Sequence, residues 1–72
     1  MAQLTHAQYD TLERAVAAGT RLAVSRRGSE YIVIPDRLGL VRGREAIEAR
    51  NPTTGDHMVL FIDEIDGFEV VW

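Results

Sequence analysis

Acidic side chains are concentrated near the end of the sequence, where carboxylate oxygens close to a glycine could bind calcium. Asp63, Glu64, Asp66 and Glu69 surround Gly67. Their spacing differs from that of an EF-hand loop. We therefore interpret the segment as a solvated acidic turn in which Asp63 caps a short helical turn and no metal is bound.

The two histidines give no support to catalysis. His6 falls at the start of a predicted helix and His57 at the start of a predicted strand, without a serine nucleophile motif, a Gly-rich phosphate loop or a His-x-x-x-His pair. The absence of cysteine excludes a thiol nucleophile, a disulfide framework and a Cys-rich zinc site. The sequence predicts a protein that is not an enzyme and uses no cofactor.

Arginine supplies all eight basic residues, and its planar guanidinium suits bidentate contact with phosphate. Segment 19–52 holds seven arginines and four carboxylates, whereas segment 53–72 holds five carboxylates and no arginine. A basic middle segment favours RNA binding, but the net charge of −3 opposes it. The candidate RNA-binding residues are Arg26, Arg27, Arg42, Arg44 and Arg50.

Length and composition predict one small globular domain, residues 1–72. Of the 72 residues, 46% are hydrophobic and 26% charged, which is typical of a folded protein too small for a deep enzymatic cleft. The longest apolar run covers only residues 58–62, and no basic segment leads into a hydrophobic one near the start. We expect a cytoplasmic protein with no membrane partner.

The first element is a predicted helix over residues 6–18. Thr5 and Gln8 have the spacing of a capping box, and Gly19 stands where a left-handed C-cap residue belongs. One apolar face follows from the three- and four-residue spacing of Tyr9, Leu12, Ala15 and Val16. A helix this short is stable only when packed on other elements.

Residues 20–72 alternate β-rich runs with turn residues. The predicted strands cover 21–25, 30–34, 44–50, 57–62 and 68–72, with a turn at Arg27–Ser29. Residues 36–43 form either a loop or a bent continuation of the second strand, and residues 63–67 form a helical turn with Ile65 inward. The predicted fold is α+β, mainly β: an N-terminal helix followed by a five-stranded, strongly bent SH3-like or Sm-like barrel.

The predicted core combines one helix face with alternate strand positions. Its members are Leu12, Val16, Leu22, Val24, Ile32, Ile34, Ile47, Leu60, Ile62, Ile65, Phe68 and Val70. The apolar last strand leaves a free sheet edge, so either a monomer or a weak homodimer is expected.

Two stretches together resemble the Rof family of inhibitors of Rho-dependent transcription termination. Residues 9–15, YDTLERA, resemble the family's "YD-x-LE-x-A" helix, and residues 61–68, FIDEIDGF, resemble its "L-x-LD-x-I-x-x-F" ending. The separation of the two stretches also agrees, and Gly28 falls at the family's first hairpin turn.

This resemblance implies an acidic cytoplasmic protein with a helix on an Sm-like barrel, which binds the Rho hexamer near its primary RNA-binding site. The implied contacts are the helix residues Asp10 and Glu13 and the barrel residues Asp63 and Glu64. Carboxylates on a rigid scaffold would occupy a basic RNA-binding surface and block RNA loading. The arginine-rich middle segment departs from the family pattern.

A second resemblance implies a different function. Residues 31–35 and 61–65 are similar to pieces of WYL-type regulatory domains, which are Sm-like barrels that sense ligands or nucleic acid. The Trp-Tyr-Leu signature is missing. The alternative is a regulatory barrel that binds RNA or a small ligand through the arginines.

Overall fold

The computed structural model describes residue 1 and residues 3–71, and its first element is the helix α1, His6–Ala18. The capping box is present, because the Gln8 amide donates to Thr5 Oγ1 at 3.1 Å and the Thr5 amide donates to Gln8 Oε1 at 2.8 Å. Gly19 ends the helix in the left-handed region at φ 67°. The predicted bounds of α1 are therefore confirmed.

Replacing Gly19 with alanine is expected to lower the free energy of unfolding by about 1 kcal/mol, because a side chain disfavours left-handed backbone. No atom of residues 1 and 3–71 lies within 4 Å of the added Cβ, so the effect comes from the backbone alone. Gly67→Ala is the matched control, with equally open space and no left-handed φ. Urea denaturation of both variants measures the difference, and equal losses would contradict the cap assignment.

Five antiparallel strands follow α1 and confirm the α+β, mainly β class. They are β1 Leu22–Arg26, β2 Ser29–Val41, β3 Arg44–Arg50, β4 His57–Phe61 and β5 Gly67–Val70. The sheet order is β4-β3-β2-β1-β5, so β4 and β5 are edges and the sheet is not closed within the described residues. A 3₁₀ turn, Ile62–Glu64, joins β4 to β5. The predicted last strand extended to Trp72, which lies outside the described residues.

The second strand is the element that shapes the sheet. Residues 36–43 were predicted as a loop or a bent continuation, and β2 continues through most of them to Val41. A straight strand of its 13 residues would be about 40 Å long. The longest dimension of the molecule is only 29 Å, so β2 must bend. The register shifts between Pro35 and Arg37, where proline supplies no amide donor.

Two hairpin turns with the same dipeptide stand at opposite ends of β2. Arg27 and Gly28 have φ 51° and 79°, and Arg42 and Gly43 have φ 53° and 75°. Positive φ at both positions is typical of a two-residue type I′ turn. The first turn is one residue shorter than predicted, because Ser29 already belongs to β2. Each turn presents an exposed arginine at its tip.

The core lies between α1 and one side of the sheet. Most of the predicted core is confirmed as buried: Leu12, Leu22, Val24, Ile47, Leu60, Ile62 and Ile65. Phe68 and Val70 are half-buried against this cluster, and Val16 is also half-buried. Three small residues are buried although the prediction omitted them: Ala15, Ala46 and Ala49.

The prediction of which β2 side chains point into the core is wrong. Val33 is fully buried opposite Leu22, whereas Ile32 is 40% exposed and Ile34 is only half-buried. Every residue from Tyr31 to Pro35 is apolar, so the sequence offers no polar alternation to fix which side faces inward. Because side chains alternate between the two faces of a strand, a shift of one residue moves every side chain of the segment to the opposite face.

Candidate functional site

The exposed side of α1 carries two carboxylates. Asp10 and Glu13 are exposed, and their three-residue spacing puts them on neighbouring positions of one helix face. Leu12 and Ala15 are buried and hold α1 on the sheet. In the described part of the chain, neither Asp10 nor Glu13 forms an ion pair. Their negative charges therefore remain available to a partner.

A third carboxylate joins this surface from the sheet. Glu45, near the start of β3, lies beside the Tyr9 phenol. Partial burial raises the pKa of Tyr9, and the negative charges of Glu45 and Glu13 raise it further. We call Asp10, Glu13 and Glu45 the α1 acidic surface. Sequence reasoning missed Glu45, because only the folded chain brings the β2–β3 hairpin to the helix.

An exposed apolar side chain borders the α1 acidic surface. Leu40 stands opposite Glu45 in the β2–β3 ladder and is 67% exposed. Tyr9, which lies beside Glu45, is 37% exposed. The surface thus combines negative charge with aromatic and aliphatic contact area, which is a composition suited to binding a protein.

The other two predicted partner-binding acids already have an intramolecular partner. Arg44 Nη2 lies 2.6 Å from Asp63 Oδ1 and 3.0 Å from Glu64 Oε2, and Arg44 Nε lies 3.3 Å from Asp63 Oδ2. The Arg44 Cζ is also 3.9 Å from the centre of the Phe61 ring. We call these four residues the Arg44 cluster. Arg44 was predicted to bind RNA and the acids to bind a protein, yet in the fold they bind one another.

The interpretation of Asp63 as a helix cap is wrong. The 3₁₀ turn has no side-chain cap hydrogen bond, and the Asp63 carboxylate accepts hydrogen bonds from Arg44 instead. That hydrogen bonding holds the pKa of Asp63 below its ordinary value, although partial burial acts in the opposite direction. The inward position predicted for Ile65 is confirmed, since its side chain is fully buried.

Replacing Arg44 with glutamine is expected to destabilise the protein at neutral pH and much less in acid. The lowered pKa of Asp63 stabilises the fold above the ordinary aspartate value, and this contribution disappears as pH falls through the lower folded-state pKa. Urea midpoints at pH 7 and about pH 2 measure the change. Arg42→Gln is the matched control, because Arg42 forms no ion pair in the described residues. A difference between Arg44→Gln and wild type that persists in acid would contradict the role of Asp63.

The five candidate RNA-binding arginines do not form one cluster. Arg44 is held in the Arg44 cluster, and Arg50 Nε lies 3.0 Å from Asp36 Oδ1. Arg26 lies over the Tyr31 ring at 5.1 Å from its centre. The remaining two are the exposed turn residues at opposite ends of β2, Arg27 and Arg42. Arg44 and Arg50 are thus paired with carboxylates, whereas Arg26 and Arg27 lie at the first hairpin and Arg42 lies at the second.

A shallow cleft of about 320 Å³ opens beside β5 on the outer side of the sheet. Small residues from two neighbouring strands form its floor: Ala23, Ser25 and Gly67. Three exposed carboxylates form its rim: Glu30, Asp66 and Glu69. Among the residues that the structure describes, no group of three metal-ligating side chains is arranged to hold an ion.

No family model, curated protein or solved structure matches this chain. The resemblances to the Rof family and to WYL-type domains therefore stay predictions based on short motifs. Within residues 1 and 3–71, no helix is long and apolar enough to cross a bilayer. The geometry of the surfaces just described is what bears on function.

Proposed function

We propose that this protein is a non-enzymatic binding module whose α1 acidic surface contacts a basic surface of another protein. The observation that carries the proposal is the pair of exposed carboxylates, Asp10 and Glu13, which have no ion-pair partner within the described residues. The resemblance of residues 9–15 to the Rof helix names the Rho hexamer as the partner. Both proteins would then meet in the cytoplasm.

The rigidity of the scaffold supports acidic mimicry. A capped helix whose Leu12 is fully buried fixes the backbone positions of Asp10 and Glu13 before binding, so little backbone ordering is needed on association. Charges at the border of an interface act mainly on the association rate and on specificity. Such carboxylates would compete with RNA phosphates for the same arginine and lysine side chains.

We propose a lesser role for Asp63 and Glu64, because both belong to the Arg44 cluster. Each carboxylate is bonded to Arg44, so a basic partner would have to displace an existing ion pair to contact them. The α1 acidic surface carries three carboxylates, and none of them is in an ion pair in the described chain. We therefore place the main contact on α1 and expect Asp63 and Glu64 to contribute less than Asp10 and Glu13.

Binding of the purified protein to the Rho hexamer tests the proposal, with single-stranded RNA titrated in parallel. The titrations are made at about 50 mM and about 200 mM salt, since screening weakens contacts between exposed charges. We expect Rho binding that weakens clearly at the higher salt concentration. Absence of Rho binding at low salt would overturn the proposed partner.

The alternative, a regulatory barrel that binds RNA, is favoured by one feature of the first hairpin. Arg26 lies over the Tyr31 ring, and the exposed Arg27 is the next residue, so this hairpin carries an aromatic ring and two arginines. RNA binding without Rho binding, lost in an Arg26→Ala/Arg27→Ala variant, would move the function to this hairpin.

A further inference from the structure

The outer edge of β5 has backbone groups with no partner strand. The Val71 amide donates to the Arg21 carbonyl at 2.9 Å, which makes Arg21 and Val71 a hydrogen-bonded pair. Such pairs alternate along an antiparallel ladder, so Glu69 also points its backbone groups at β1. The amide and carbonyl groups of Phe68 and Val70 therefore point away from the sheet. Since β5 ends the sheet order, no described strand pairs with them.

The acidic cleft lies directly beside this free edge. Its floor is low because three small residues occupy adjacent positions in β1 and β5: Ala23, Ser25 and Gly67. The rim carboxylates of Glu30, Asp66 and Glu69 form no ion pair in the described part of the chain. An unpaired strand edge and an unneutralised negative rim thus occur at the same place.

We propose that the β5 edge binds an extended basic peptide as a sixth strand of the sheet. Backbone hydrogen bonds from Phe68 and Val70 would hold the peptide, as strand addition at a sheet edge requires. Glu69 and Asp66 would select arginine or lysine in the peptide, since opposite charges on facing strands attract. This site is separate from the α1 acidic surface and does not depend on the proposed binding to Rho.

The side-chain alternation of β5 specifies the peptide further. Glu69 lies in one cross-strand row with Ala23 and Ile32. A sixth strand would continue this row about 4.8 Å farther out, with every second side chain on the same outer face. Basic residues at alternate positions would therefore meet Glu69 and the cleft.

A second copy of the chain is a poorer occupant of this edge. The other free edge of the sheet is β4, His57–Phe61, and this strand contains no arginine that could pair with the acidic rim of a second copy. The two hairpin arginines stand in tight turns and not in an extended edge strand. Charge complementarity therefore favours a basic peptide from another protein.

The test uses ¹⁵N-labelled protein and an acetylated peptide of about six residues in which arginine and threonine alternate. We expect chemical-shift changes centred on β5 and slower hydrogen exchange at the amides of Phe68 and Val70. The Asp66→Asn/Glu69→Gln variant should bind the peptide about threefold to tenfold more weakly. The Asp10→Asn/Glu13→Gln variant is the matched control and should bind it as the wild type does.

Strand pairing is separated from simple charge attraction by two N-methylated peptides of the same sequence, one methylated at the arginines and the other at the threonines. Both keep the charge, and each loses the amide donors of one edge. The peptide that loses the donors facing β5 should lose binding. Binding of both methylated peptides equal to that of the unmethylated peptide, or shift changes centred on α1, would overturn the proposal. Protection of the Phe68 and Val70 amides in the free protein, together with a dimer in sedimentation, would overturn it in favour of a second copy.

Discussion

Replacing Ile47 with alanine is expected to leave most of the protein unfolded under native conditions. Ile47 is fully buried in β3, a strand that is paired on both sides. Removing a buried isoleucine side chain beyond Cβ costs about 2 to 5 kcal/mol, because apolar contacts are lost and a cavity remains. A single core of this size supplies only about 3 to 5 kcal/mol in total. Far-UV circular dichroism with urea titration measures the loss.

Ile32→Ala is the matched control for this prediction. The residue type is the same and Ile32 also lies in a strand, but its side chain is 40% exposed on the outer side of the sheet. We expect a loss of less than about 1 kcal/mol, since only part of the side chain leaves a buried environment. The sequence placed both residues in the core. Comparable destabilisation of the two variants would contradict the placement of the Ile32 side chain on the outer side of β2.

Neutralising Asp10 and Glu13 together is expected to lower the affinity for Rho by about tenfold at low salt, and less at high salt. The Asp10→Asn/Glu13→Gln variant keeps the size of both side chains, so their packing on α1 changes little. Both residues are exposed, and the stability of the fold should remain close to that of the wild type. Isothermal titration calorimetry measures the affinity.

The control for this variant must change the net charge equally without touching α1. Asp66→Asn/Glu69→Gln does so at the rim of the β5 cleft. If overall charge controlled binding to Rho, both double variants would weaken it equally, and that outcome would contradict a contact on α1. In the peptide experiment, Asp66→Asn/Glu69→Gln is the test variant and Asp10→Asn/Glu13→Gln is the control. Failure of the Rho proposal can therefore be distinguished from failure of the β5 proposal.

The positions of the helix and the strands could be predicted from residues that are close together in the sequence. Thr5, Gln8 and Gly19 fix the ends of α1 through contacts within a few residues, and the observed bounds agree. The Arg44–Arg50 strand was correctly predicted despite its helix-forming composition, because Gly43 and Asn51-Pro52 left too few residues for a helix. In these cases nearby residues alone decided the structure.

Features that depend on distant residues were not readable. The facing of β2 is decided by the pairing of Val33 with Leu22, since Tyr31–Pro35 is apolar throughout. The Arg44–Asp63 contact joins residues 19 positions apart, and no spacing rule predicts it. Opposite roles were therefore assigned to two groups that neutralise each other. A closed barrel would require β4 to pair with β5, and local sequence patterns do not predict whether two strands pair. In the sheet order, β4 and β5 are the two edges.

The placement of the predicted partner-binding residues shows the same division. Asp10 and Glu13 stand on a helix whose register the sequence defines, so their exposure follows from the buried position of Leu12. Glu45 belongs to the same surface, but it joins the helix only through the packing of the β2–β3 hairpin. The sequence thus predicted the two helix residues of the α1 acidic surface but not Glu45.

Displacement of RNA from the Rho hexamer is the decisive measurement for acidic mimicry on α1. Fluorescence anisotropy of labelled single-stranded RNA on Rho is followed while the protein is added. We expect the wild type to release the RNA, and we expect release by the Asp10→Asn/Glu13→Gln variant to need about tenfold more protein. RNA that stays bound to Rho at saturating wild-type protein, or is released equally by the double variant, would contradict acidic mimicry on α1.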